Sequence, residues 1–418
     1  VDLKTFRTAE ILELPNSGGN HSSPFITENT EYVVAGTRFS VPPDNANGDV
    51  PINTYKQNFK GNVTFVSVDK DNGNMDIAFQ IETPGVNFDL SHAGKGPSHG
   101  WFFFSCYNTE QANTLLEVNA SKNVKDFIMA VNWKKAEEYI KAGKGKKVPV
   151  KYVHNKFNEE THTATTETLK EVTVLDSREL EGLCYFIPCP KSPHGCDVDP
   201  TGEYIVGSGK LAALIPVFSF TKMIKAIEDK AFEGKYGDIP VIKYEAALHG
   251  EVQKPGLGPL HTEFDGKGNA ITSMFVSSEL VKWNIKDLKI LDRVPTYYSV
   301  GHLMIPGGDS KKPDAKYVVA YNKITKDRYL PTGPELSQSA QLYDISGDKM
   351  QLILDFPTIG EPHYAQAVRA EKVKDKSRKI FKIEENKHPY AAKGEKETKV
   401  VREGNKVHVY MTAIRSHL

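Results

Sequence analysis

Short runs of alternating apolar and polar residues, separated by turn-rich polar stretches, dominate the chain and predict strands with few helices. Residues 31–38, 62–68 and 76–82 carry β-branched or aromatic side chains, with Lys70-Asp71-Asn72-Gly73 supplying a hairpin turn. The run WFFFSCY at 101–107 and the run DFIMAV at 126–131 read as buried strands. Further strands are expected at 171–175, 182–187, 317–322, 341–345, 350–356 and 406–412. Helical spacing is confined to 132–142, with Lys134, Glu137, Glu138 and Lys141 on its wet side, and to 221–230. Residues 143–171, 369–379 and 384–399 are charged or Thr-rich and read as surface.

One local grammar recurs along this pattern. His194 is followed by the turn Asp199-Pro200-Thr201-Gly202 and a strand over 203–207, and His261 by a turn at 265–269 and a strand over 270–276. His21 heads a weaker copy, and His302 and His363 keep the preceding glycine or proline without the clear turn. Repeats of this kind, several tens of residues apart in an all-strand chain, favour an all-β propeller over a sandwich or a doubly wound sheet. The innermost strand of each propeller blade lines the central channel, so histidines just ahead of successive innermost strands would converge.

Composition narrows the partners. The 53 basic and 53 acidic residues balance, so no global field draws the chain to nucleic acid or an anionic membrane. No apolar run approaches the roughly 20 residues that span a bilayer. The chain of 418 residues starts at Val1 with neither an initiator methionine nor a signal sequence, so a leader removed or a longer parent is expected. Cys106, Cys184, Cys189 and Cys196 form no CxxC pair and leave the compartment open.

The chemistry then rests on the histidines. Converging neutral imidazoles without thiolates suit copper, zinc or iron rather than calcium or magnesium. More than four of them exceed the needs of one tetrahedral ion, which points to a polynuclear centre. The alternative is a non-catalytic propeller, a ligand- or protein-binding scaffold whose histidines only brace loops. His92 and His99 flank the glycine-rich HAGKGPSHGW, which lacks the GK[ST] of a phosphate loop. His154, His162 and His388 read as solvated.

Several longer stretches resemble nitrous oxide reductase: SCYNTE at 105–110, KSPHGC at 191–196, GLGPLHT at 256–262, VKWN at 281–284, KITKDRYLP at 323–331, DISGD at 344–348 and EPH at 361–363. The resemblance runs in order from about His21 to the last strand. It implies a seven-bladed β-propeller and a copper-dependent oxidoreductase that reduces N2O to N2 and water, with two electrons and two protons, at a tetranuclear copper-sulfide cluster on seven histidines. Of those ligands, His21, His194, His261, His302 and His363 are matched. Lys323 and Glu361 match residues beside the cluster, where an ammonium stabilises a developing oxygen charge and a carboxyl relays protons. The family's calcium site is matched at Tyr107, Glu110, Asp126 and Lys323, and a second one is expected to be weakened by Gln338, with Glu335 nearby.

Two features of the family are not matched: its paired-histidine motif, and its C-terminal cupredoxin domain with a binuclear copper site. The resemblance therefore implies a propeller over 1–412, with 413–418 beginning a linker, unable by itself to turn over N2O from a protein donor. It further implies a periplasmic homodimer served by a c-type cytochrome or a cupredoxin.

Overall fold

Strand pairing in the computed structural model follows the alternating pattern closely. The structure describes Leu3 and residues 10–19, 25–42, 54–71, 73–106, 126–156, 166–323, 338–358, 361–373, 399–403 and 406–410. These divide into two compact units, one formed by Glu10–Ala367 and one by Val1–Ala9 with Val368–Leu418. Within the second, the hairpin Lys399–Glu403 and Lys406–Tyr410 pairs Val401 with His408. Residues 413–418 lie outside the described residues.

The larger unit is an all-β propeller. Three consecutive four-stranded antiparallel sheets run outward in chain order. The first contains Cys196–Val198, Tyr204–Gly207, Leu214–Ser219 and Leu248–Gln253; the second contains Pro259–Phe264, Asn269–Met274, Glu279–Asn284 and Ile290–Pro295. The third contains Val300–Met304, Tyr317–Asn322, Ser339–Asp344 and Gln351–Pro357. The same unit contains a six-stranded sheet ending on Phe88–Ala93, to which Phe232–Tyr236 and Ile239–Ile242 also belong, and a seven-stranded sheet ending on Phe25–Ile26. The strands Phe88–Ala93, Cys196–Val198, Pro259–Phe264 and Val300–Met304 pack successively against one another as the innermost strands.

The turns that the sequence marks are built by their aspartates. Asp199 accepts from the amides of Thr201 and Tyr204, and Asp265 from those of Lys267 and Asn269, each closing a hairpin within a few residues. Gly202 is required twice over: its φ is +75°, and a Cβ there would sit 1.8 Å from the Lys95 carbonyl oxygen. The helices Trp133–Lys141 and Phe220–Glu228 begin on Asn132 and Ser219, whose side chains accept from the amides of Lys135 and Lys222. That cap starts the second helix one residue ahead of the expected position.

Apolar faces of adjacent sheets form the core. Val206, Ile215 and Val217 of the first sheet meet Phe264, Ala270 and Trp283 of the second, while Ile271 and Leu280 of the second meet Val300, Val318 and Tyr343 of the third. The motif VKWN lies in the third strand of its sheet. Trp283 is fully buried there, and its indole N–H donates to Thr272 Oγ1 at 2.8 Å.

A serine hydroxyl ties each innermost strand to the next. Ser105 accepts from the Leu90 amide at 3.0 Å and donates to the His194 carbonyl at 3.0 Å. Ser208 accepts from Gly195 at 2.6 Å and donates to Leu260 at 2.5 Å, and Ser273 accepts from His261 at 3.2 Å and donates to Gly301 at 2.5 Å. These ties act on residues at or next to the histidines, so they set the spacing of the channel wall.

Candidate metal centre at the channel

Irregular pairing aims the channel side chains. The register between Pro259–Phe264 and its neighbour slips between Pro259 and Thr262, around His261. The same slip occurs between Val300 and Leu303, around His302, and between Phe88 and Ser91, around Asp89. An extra residue in a strand re-aims its side chain. His261 and His302 therefore lie inside the innermost strands, not ahead of them as expected, whereas His194 does precede its strand.

The structure brings four of the expected histidines together. The ring centroids of His261 and His302 are 4.1 Å apart, and those of His302 and His363 4.5 Å apart. His194 acts electrostatically on His261, and its Nδ1 is paired with the buried carboxylate of Asp89. Lys323 Nζ lies 3.4 Å from Glu361 Oε1, which is 3.5 Å from His363 Nδ1. His21, Tyr107, Glu110 and Glu335 lie outside the described residues. Asp126 is buried away from solvent, with Oδ2 accepting from the Ser192 amide at 2.6 Å.

Burial, then the Lys323 ammonium and the neighbouring rings, holds His302 and His261 well below the ordinary histidine range. Both are neutral imidazoles at neutral pH. Their Nδ1 atoms are buried and have no hydrogen-bond partner among the described residues. Leaving such nitrogens unpaired costs free energy unless something accepts their lone pairs. Neutral imidazole nitrogens of this kind fit a borderline-soft transition metal such as copper. Among the described residues, no three His, Cys, Asp or Glu side chains converge as a one-ion site. Burial pushes the thiols of Cys106, Cys189 and Cys196 well up, and that of Cys184 to about 12, so the cysteines are free, inert core residues.

A second polar layer follows on the same strands. Glu263 lies two residues past His261 on the same innermost strand and is buried. Burial and the proximity of Asp309 push the Asp197 and Glu263 carboxyls well up, while burial lowers Lys95, whose Nζ donates to the Val198 carbonyl, to about 8. His92 is buried in this layer. Its Nδ1 accepts from the Val198 amide at 2.7 Å, which places the proton on Nε2, 3.0 Å from Asp309 Oδ1. His99 lies between Glu28 and Glu31 and meets the Trp133 ring edge-on. Asp89, Asp309 and His92 were not legible as site residues, although Asp89 stands in the FDLSH run that forms an innermost strand.

Comparison with known proteins adds descent to this geometry. Residues 293–363 match the family model described as nitrous oxide reductase propeller repeat. Over 99% of its length the chain is 30% identical to "Nitrous-oxide reductase" of Pseudomonas fluorescens and, to the same degree, to that of Stutzerimonas stutzeri. It is 31% identical to the protein of that name from Ralstonia nicotianae. The chain spans 62%, 62% and 60% of the lengths of these three relatives.

Proposed function

The chain is a propeller-bearing homologue of the nitrous-oxide reductases, and from that premise we propose that its histidine cluster holds the copper of a site that reduces N2O to N2 and water. The observation that carries this reading is the pair of buried, neutral Nδ1 atoms on His261 and His302, which have no hydrogen-bond partner among the described residues, with the His302 ring packed against both His261 and His363. His194, His261, His302 and His363 would hold the metal, with His21 as a further ligand. The spacing of the rings suits a polynuclear centre, and the proposed occupant is a tetranuclear copper-sulfide cluster. When bound, it supplies the two electrons that the reaction consumes.

The protein's own groups supply position and protons. Asp89 orients the His194 ring through Nδ1, as carboxylates orient metal-binding imidazoles. Lys323 Nζ, largely buried beside the rings, donates a hydrogen bond to an oxygen on which negative charge grows. Glu361 is half exposed and touches both Lys323 and His363, so its Oε1 passes protons from solvent to Nζ.

A calcium ion bound by Tyr107, Glu110 and Asp126 belongs to the same proposal. Lys323 can offer such an ion only its carbonyl oxygen, because an ammonium has no lone pair to give. So do a periplasmic setting in denitrification, a homodimer, and a c-type cytochrome or cupredoxin as electron donor. Among the described residues no helix is long and apolar enough to cross a membrane.

Copper and acid-labile sulfide measured after anaerobic reconstitution test the proposal. More than one copper per chain, largely lost in His302→Gln, is expected. Uptake of a single copper or none, unchanged in His302→Gln, would overturn it and leave a scaffold propeller whose histidines brace loops.

A further inference from the structure

Residues 361–369 carry Glu361 and His363 to the cluster, yet they form neither helix nor strand and are exposed or half-buried throughout. No sheet ladder sets where the His363 ring stands. The segment is instead held by side chains. Gln366 Nε2 donates to Asp309 Oδ2 at 2.8 Å, and Tyr364 Oη donates to the same oxygen at 3.4 Å. Oδ1 of Asp309 is turned the other way and accepts from His92 Nε2. Since the Val198 amide occupies His92 Nδ1, the ring has one tautomer and one orientation. Phe25 closes the arrangement, meeting the His92 ring edge-on at 5.0 Å and the Tyr364 ring at 5.4 Å. Tyr364 in turn meets His302 edge-on at 5.3 Å.

We propose that Asp309, oriented by His92, is the positioning residue that docks segment 361–367 and so sets His363 against His302 and Glu361 against Lys323. The chemistry favours a carboxylate at this place: three donors from two parts of the chain converge on it, and only an acceptor-only group with two oxygens satisfies them all. Against burial, which acts the other way, the hydrogen bonds from His92 and Gln366 lower that carboxyl from its usual range, so it is charged at neutral pH. The consequence for catalysis rests on the proposed function, but the docking itself does not.

The test uses the metal-free chain with 15N-labelled histidine. In Asp309→Asn one side of the residue presents an amide N–H where it must accept. The His363 ring signals should move to those of a solvent-exposed histidine, and tryptic cleavage after Arg369, read by mass spectrometry, should run about tenfold faster. The His261 signals should hold, while the thermal midpoint falls only by what a lost buried hydrogen bond costs. Gln366→Leu, which removes a donor from the other side, should give both changes at smaller size and add little in the double variant; it also decides the matter should Asp309→Asn fail to fold. Unchanged His363 signals and cleavage in a folded variant would overturn the proposal, as would a loss of stability that moves every histidine alike. Copper uptake separates this inference from the function: a released His363 with uptake unchanged would keep the anchor and remove His363 from the ligands.

Discussion

His261 and His302 belong to different sheets, yet their ring centroids stand 4.1 Å apart because each lies at a slip in the register of its own innermost strand. Both rings are buried and held well below the ordinary histidine value, first by burial. In the unfolded chain they protonate as the pH falls through about 6.5, while in the folded chain they stay neutral. The unfolded state then binds more protons, so stability falls with falling pH, by up to about 1.4 kcal/mol per pH unit for each histidine. Urea unfolding of the metal-free chain should show this loss beginning near pH 6.5, with a shallower slope in His302→Gln. Lys323→Met removes a nearby positive charge, and the NMR titration midpoints of both rings should rise. A slope indifferent to His302 would mean that these rings are not neutral in the fold.

Asp197 carries the opposite sign. Burial and Asp309 raise its carboxyl well above the ordinary range, against the pull of the Thr262 amide and Lys95. The folded chain keeps a proton there that the unfolded chain has released above about pH 4. Its contribution to stability is therefore complete at low pH and is lost as pH rises through the raised value. Asp197→Asn retains an acceptor for the Thr262 amide and removes the titration. Thermal unfolding across the neutral range should then show a higher midpoint and a flatter pH profile than the parent chain. A lower midpoint at every pH would show that the charged form is the one the fold uses.

Ser208 tests the ties between sheets. Its hydroxyl accepts from Gly195 and donates to Leu260, the residue before His261. Ser208→Ala leaves a buried amide and a buried carbonyl short of a partner, at a cost of about 1–3 kcal/mol. Since the tie also fixes the channel wall, the His261 ring signal should broaden or shift while that of the remote His249 stays in place. A stability loss without any effect on His261 would assign Ser208 to the core alone.

The sequence by itself determined most of the strands and turns and the likeness to the nitrous-oxide reductases. Alternation along a strand and the aspartate turns at Asp199 and Asp265 act within a few residues, so they are written locally. The matching motifs that carry His194, His261, His302 and His363 are local as well, and so was the resemblance they supported. Tertiary structure alone decided which groups hold those histidines. The slips around Asp89, His261 and His302 depend on the register of a partner strand. Asp89 reaches His194 from another sheet. His92 finds Asp309 across 217 residues of sequence. Contacts of that range leave no periodicity or spacing in the chain, because what brings them together is the stacking of sheets around the channel, a property of the assembled core and not of any stretch within it.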